Sequence, residues 1–240
     1  MSASSNIPTP EPAEDGRERR SEETREALIQ AGVELFGDYG VQGTTSRMLA
    51  SASQTNIAAI NYHFGSKEGL YLAVAGWIAE RMEERLRGAR ESALKILQEG
   101  PPNAETAIRI VSNVIDHVAG LMVDSDEVRT WARIIVREQT KPTLAFDILY
   151  RERMEKSQKN LARLIGFAVG IDPTSAEAKI RAHALMGQLL VFAISRESLL
   201  RALDTPKLTS AHRHLIRRIL KRHVEACLAV KLPDAKPSVI

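Results

Sequence analysis

Residues 44–67 read TTSRMLASASQTNIAAINYHFGSK, and the organisation of the chain is best read outward from them. Thr45 is a good helix N-cap, with a hydroxyl placed to accept from a backbone N–H one turn in. A short helix then runs to about Ser53. Gln54 and Thr55 make a turn, Asn56 supplies a second cap, and a further helix spans Ile57 to about Phe64. Two short helices joined by a tight turn have helix-turn-helix proportions. Ile57, Ile60 and Phe64 are spaced to bury one face of the second helix, which leaves Ala58, Ala59 and Asn61 on the other. Small side chains let a helix sit close to base edges, an alanine methyl can meet a thymine methyl, and asparagine can pair with adenine. Tyr62 and His63 stand at the far end, within reach of phosphate. From Thr44 to Lys67 there is no Asp or Glu, although 26% of the chain is charged, and Arg47 and Lys67 carry the formal charges. A surface that approaches phosphates avoids carboxylates. On pattern alone, the same residues also suit an ordinary buried three-helix turn.

Upstream, Leu28, Ala31, Leu35, Phe36 and Tyr39 recur at helical spacing. This first helix should end near Asp38, where Gly40 allows a left-handed residue. Downstream, apolar residues recur at three and four rather than at two. The stripes are Leu70–Met82, Ile108–Met122, Ile180–Ile194 and Leu215–Leu228. No period-two run and no Asn-Gly or Asp-Gly turn appears, so the chain reads as all-α. Asn103, Asp172 before Pro173, and Thr209 or Ser210 are candidate helix starts. Residues 1–20, with prolines at 8, 10 and 12, read as a disordered leader. Residues 21–82 form the DNA-binding domain, 83–230 a larger helical domain, and 231–240 a tail.

The 240 residues are 44% apolar, enough to build a core, which excludes disorder throughout. Cys227 is the single cysteine, so no intrachain disulfide can form, and a reducing compartment fits. No apolar run suits a membrane span or a secretory signal, which points to the cytoplasm without a membrane partner. The net charge of +3 is mild, but from 201 to 240 nine Lys/Arg face three Asp/Glu. There, Leu215, Ile216, Ile219 and Leu220 leave Arg217, Arg218, Lys221 and Arg222 pointing outward as a solvated face. His223 and Cys227, four apart, have metal-ligand spacing, but two ligands make no site, so no metal or other cofactor is expected.

The run from Thr44 to Leu70 resembles the helix-turn-helix of TetR-type transcriptional regulators without a gap. Thr44, Thr45, Arg47, Ala50, His63, Phe64, Ser66, Lys67, Glu68 and Leu70 match. Upstream, so do Thr24, Arg25, Ile29, Ala31, Leu35, Phe36 and Gly40. The string NIAAINYHFGSKEGLY and the later REQTKPTLAF, Arg137 to Phe146, resemble the CecR-type branch. The resemblance implies that Thr45 and Ser46 touch phosphate and that Arg47 reaches a guanine edge. It further implies that Ala58, Ala59 and Asn61 face bases, that Tyr62 and His63 contact backbone, and that Lys67 holds another phosphate. Four positions depart from the pattern. Met48 removes the capping-box partner of Thr45. Ser53 replaces alanine, and Gln54 replaces the turn glycine, so the turn must avoid positive φ or accept strain. Asn61 replaces a frequent tyrosine, which bears on the operator sequence.

The resemblance also implies a C-terminal domain that forms a homodimer and binds a small-molecule effector. Helices over about 174–202 and 209–229 could form a four-helix interface that sets two recognition helices one DNA turn apart, on a palindromic double-stranded operator. Polar and aromatic residues inside apolar runs are pocket candidates: His117, Trp131, Arg137, Gln139, His183, Gln188 and Phe192. The function expected is that of a repressor released from its operator by the effector. The rivals are a non-specific architectural DNA-binding protein and an all-α enzyme. The first wants a broad basic surface, whereas residues 1–82 carry seven Lys/Arg against eleven Asp/Glu. The second lacks a nucleophile elbow, a phosphate-binding glycine loop and a metal-binding helix.

Overall fold

The computed structural model describes residues 13–230, and all the regular elements among them are helical. In order they are α1 (Ala13–Gly43), α2 (Ser46–Ala52), α3 (Ile57–Phe64), α4 (Lys67–Glu99), α5 (Ala104–Asp124) and α6 (Asp126–Thr140). Then come α7 (Leu144–Leu149), a turn of π-helix (Tyr150–Met154), α8 (Glu155–Val169), α9 (Ala176–Ile194), α10 (Arg196–Ala202) and α11 (Ser210–Ala229). The expected disordered leader is corrected in part. Residues 13–20 begin α1, where glutamates and arginines favour helix, and Arg19 lies 3.7 Å from Glu23 one turn on. Residues 1–12 and the tail lie outside the described residues.

The chain divides into two units between Val74 and Ala75, inside α4, rather than at residue 82. In the first unit α1, α2 and α3 pack around Leu28, Ile29, Phe36, Leu49, Ile60, Leu70 and Val74. Phe36 meets Tyr71 edge-to-face with ring centres 5.0 Å apart. The path of α1 breaks at Gly40 (φ 69°), as the sequence predicts. Thr44 locks the break from below: its buried hydroxyl donates to the Gly40 carbonyl at 2.7 Å, with the Leu35 carbonyl at 3.1 Å. Tyr39, expected on the buried stripe, is exposed one residue before the break.

In the second unit α5 is the central helix. Ala107, Ile110, Val111, Ile115 and Val118 pack with Leu161, Leu164 and Ile165 of α8 and with Ile216, Leu220, Val224 and Leu228 of α11. Helix α5 has the length and apolarity of a membrane span, but here that composition serves the core. The stripes expected on α9 and α11 need correcting. Helix α9 buries Ala178, Ala182, Leu185 and Leu189, and leaves Ile180, Ala184, Val191 and Ile194 exposed. Helix α11 buries Ile216, Leu220, Val224 and Leu228, and leaves Leu215 and Ile219 exposed. Each helix is apolar on two faces, and periodicity does not say which of them meets the core.

Three smaller expectations also change. Helix α9 starts later than expected, with Ser175 as its cap. Asp172 instead accepts from the Thr174 N–H at 2.8 Å in a turn, and these hydrogen bonds hold its carboxyl below the usual range. The helix expected to reach 202 breaks at Ser195. Arg217 points inward and grips Asp116 of α5 with two hydrogen bonds of 2.9 and 2.5 Å, which raise the guanidinium pKa against its partial burial.

Candidate nucleic-acid interface

The α2–turn–α3 segment is built from its caps. Thr45 Oγ1 accepts from the Met48 N–H at 3.2 Å, and Asn56 Oδ1 accepts from the Ala59 N–H at 2.8 Å. Each satisfies one of the donors that a helix start leaves open. The turn closes with the Thr55 N–H on the Ala50 carbonyl at 2.9 Å. Gln54 sits there at φ 55°, so the chain accepts the left-handed conformation without the family's glycine, at a cost of about 1 kcal/mol. Ser53 and Thr55 brace the turn through hydroxyls 2.8 Å apart.

Helix α3 is anchored by Ile60, which is fully buried, while Phe64 is half-buried with the Arg25 guanidinium over its ring. Ile57, expected in the buried face, is largely exposed. It occupies the first helical position, beyond the reach of the core. Ala58 and Asn61 are exposed, Ala59 is half-buried, and Tyr62 is 81% exposed. His63 is half-buried, its ring edge-on to Tyr62 at 4.9 Å. Arg47 and Thr45 lie exposed on α2 and its cap, and Ser46 is half-buried. Arg47 on α2 and Ala58, Asn61 and Tyr62 on α3 are therefore all exposed, in a segment without a carboxylate.

Lys67 departs from its expected role. Its side chain is only 21% exposed, and its ammonium donates to the Val41 carbonyl at 2.7 Å and the Thr44 carbonyl at 3.1 Å. Two of its three donors are committed to the end of α1, so it ties that end to the start of α4. Lys67→Ala is expected to destabilise the first unit by about 1–2 kcal/mol, because the cation leaves two carbonyls behind. Thermal melting checks this. A variant with unchanged melting but a shallower salt dependence of DNA binding would return Lys67 to phosphate contact. Thr44, whose hydroxyl shapes the same turn, carries a positioning role that the motif match alone does not reveal.

The expected pocket residues divide between surface and interior. His117, Gln139 and His183 are exposed, and the His117 Nε2 pairs with the Arg85 carbonyl at 2.8 Å. Trp131 is 2% exposed, stands edge-on to Trp77 at 5.8 Å, and has an indole N–H without a hydrogen-bond partner. Gln188 and Phe192 are half-buried on α9, and Arg137 is half-buried near the end of α6. The sequence shows polarity inside apolar runs, which does not tell which side of a helix a residue takes. A cleft of about 460 Å³ does collect His117 with Arg85, Gly120, Leu121, Asp124, Ser125 and Arg217. Its charges are paired: Arg85 with Glu127 at 2.5 Å, Asp124 with Arg213 at 3.6 Å, and Arg217 with Asp116. His223 and Cys227 are both exposed, and no group of three metal-ligating side chains occurs among the described residues.

Comparison with known proteins places these features in context. Residues 28–74 match the model of bacterial regulatory proteins of the tetR family. Residues 107–230 match that of the C-terminal domain of the HTH-type transcriptional dual regulator CecR. The chain is 31% identical over 209 residues to the HTH-type transcriptional dual regulator CecR of Shigella flexneri, covering 87% of this chain and 93% of that protein. It is 38% identical over 61 residues to the HTH-type transcriptional repressor AcnR of Corynebacterium glutamicum, 25% of this chain and 32% of that one. Among solved structures, AibR in complex with isovaleryl coenzyme A and operator DNA superposes with a TM-score of 0.61 at 16% identity, covering 83% of this chain and 97% of that one. A TetR-family regulator from Streptomyces coelicolor superposes with a TM-score of 0.57 at 15% identity, covering 87% and 95%. These two likenesses describe the fold.

Proposed function

We propose, because the chain belongs to the TetR family of bacterial regulatory proteins and carries the C-terminal domain of its CecR branch, that it acts as a homodimeric repressor released from a palindromic operator by a small-molecule effector. It is a DNA-binding transcriptional regulator and not an enzyme, as its relatives are. It works in the cytoplasm, where its DNA is. Arg47, Ala58, Ala59 and Asn61 read bases, while Thr45, Ser46, Tyr62 and His63 position the backbone. Lys67 is left out of the contacts because its ammonium is committed to α1.

The observation that carries the dimer is the exposed stripe on α9. Ile180 (68% exposed), Ala184, Gly187, Val191 and Ile194 follow one another at helical spacing, and Leu215 and Ile219 are exposed on α11, which touches α9. A Cβ added at Gly187 would meet nothing within 4 Å. Nothing in the single chain demands glycine there, although glycine within a helix costs about 1 kcal/mol relative to alanine. Small residues flanked by exposed β-branched ones suit a second helix approaching closely. Two copies then present two recognition helices to successive major grooves, about 34 Å apart. The effector acts by binding better to the dimer state that does not fit the operator.

Selection of genomic DNA fragments at physiological salt tests the whole reading, with a Gly187→Leu variant alongside. The parent should enrich a short palindrome and sediment as a dimer. The variant should dissociate to monomers at concentrations roughly a hundredfold higher and lose the palindrome, since a half-site alone gives weak binding. Enrichment of the same palindrome by a monomeric variant would overturn the dimer. Fragments with no shared sequence would favour the architectural alternative.

A further inference from the structure

The first turn of α3 carries no side chain that can make a hydrogen bond. From Ile57 to Ile60 the side chains are those of Ile, Ala, Ala and Ile, and each ends in methyl groups. Asn56, just before them, has its amide oxygen committed to the Ala59 N–H at 2.8 Å. The preceding turn is closed on itself. The Ser53 hydroxyl donates to the Leu49 carbonyl at 2.8 Å and lies 2.8 Å from the Thr55 hydroxyl. The first hydrogen-bonding side chain within α3 is Asn61, a full turn further on.

The two isoleucines of this turn have opposite surroundings. Ile60 is 1% exposed and anchors the helix, whereas Ile57 is 45% exposed. Ile57 shares a side of α3 with Asn61, four residues on, which is exposed too, as is Ala58 beside it. A single exposed isoleucine is ordinary on a protein surface. The place of this one is not ordinary, because the leading residues of a recognition helix are those that meet base edges. In the major groove those edges present donors, acceptors and one apolar group, the thymine C5-methyl. Against the donors and acceptors of a G·C pair, Ile57 displaces water and returns no hydrogen bond. Against a thymine methyl it removes apolar surface from water on both sides.

We infer that Ile57 is a specificity-determining residue, which selects thymine at one position of each operator half-site by packing on the C5-methyl group. This selection rests on the operator-binding role proposed for α3, and it adds a residue and a base to that role.

Operator duplexes in which deoxyuridine replaces thymine, one symmetric pair at a time, test it. Uracil keeps every hydrogen-bonding group of thymine and lacks only the methyl. Fluorescence anisotropy at fixed salt is read for the parent and for Ile57→Ala, on the selected operator and on each substituted duplex. At one pair the parent should lose affinity by about fifteenfold, about fourfold for each methyl withdrawn from apolar contact. Ile57→Ala should bind the unmodified operator about fifteenfold more weakly and lose less than about twofold more at that pair. The parent's own response to uracil stands whether or not the variant folds. A parent that binds its operator tightly yet is indifferent to uracil at every pair would overturn the role of Ile57 and leave α3 on the operator. So would an Ile57→Ala variant that loses as much as the parent at the same pair. A parent that does not distinguish its operator from unrelated DNA would overturn the operator-binding role, and that of Ile57 with it.

Discussion

Replacing Asn61 with aspartate should weaken operator binding by about a hundredfold, while the protein folds and melts much as before. The substitution changes almost no volume, and Asn61 is exposed, so folding has little to lose. A carboxylate near the end of α3 opposes that helix's dipole by a few tenths of a kcal/mol at most. On DNA the cost is much larger. The new charge enters a window from Thr44 to Lys67 that holds no Asp or Glu, on the face beside Ala58 and Tyr62. It faces phosphates, and it loses the amide donor that an adenine edge would accept. Fluorescence anisotropy with the selected operator, at fixed salt, measures the change. Binding within about threefold of the parent would remove α3 from the interface.

The second large effect concerns stability and comes from Glu138. Its side chain is 2% exposed, and its Oε2 accepts from the Thr143 N–H and hydroxyl, both at 2.9 Å, and from the Phe146 N–H at 3.1 Å. The carboxylate therefore closes the start of α7, where open N–H groups and the helix dipole favour a negative charge. Glu138→Ala removes the acceptor of three part-buried donors, of which the Phe146 N–H keeps the Thr143 carbonyl at 3.0 Å, and this should cost about 2 kcal/mol and lower the melting point by roughly 4–8 °C. Glu138→Gln keeps the shape and one acceptor oxygen, so its loss should be under about half as large. Calorimetry of the three proteins decides. Equal melting of the parent and Glu138→Ala would mean that the first turn of α7 finds other partners.

Glu138 also explains the segment from Arg137 to Phe146. The stretch that resembles a family branch forms a capped corner between α6 and α7. Such local chemistry was legible elsewhere as well. Thr45 and Asn56 fix the starts of α2 and α3 because a cap acts within one turn, and Gly40 breaks α1 where its backbone freedom is needed. What the sequence could not display is long-range choice. Arg217 looks like part of a solvated basic face until Asp116, 101 residues earlier, is placed beside it. Helices α9 and α11 are apolar on two sides, and neighbours distant in sequence decide which side is covered. Lys67 fits a phosphate contact by motif, yet the carbonyls left open where α1 breaks claim its ammonium first.

The edge-on pair of Trp77 and Trp131 has a spectroscopic consequence. These are the chain's two tryptophans, and both belong to the second unit. Tyr39, Tyr62 and Tyr71 lie in the first unit, and Tyr150 is the remaining tyrosine. Indole emission is therefore blind to the first unit and reports the second alone. A melt followed by indole emission, compared with one followed by helical circular dichroism, separates the unfolding of the two units in an unlabelled protein. The same signal lets a titration with a candidate effector be read in the presence of operator DNA, without a dye on either partner.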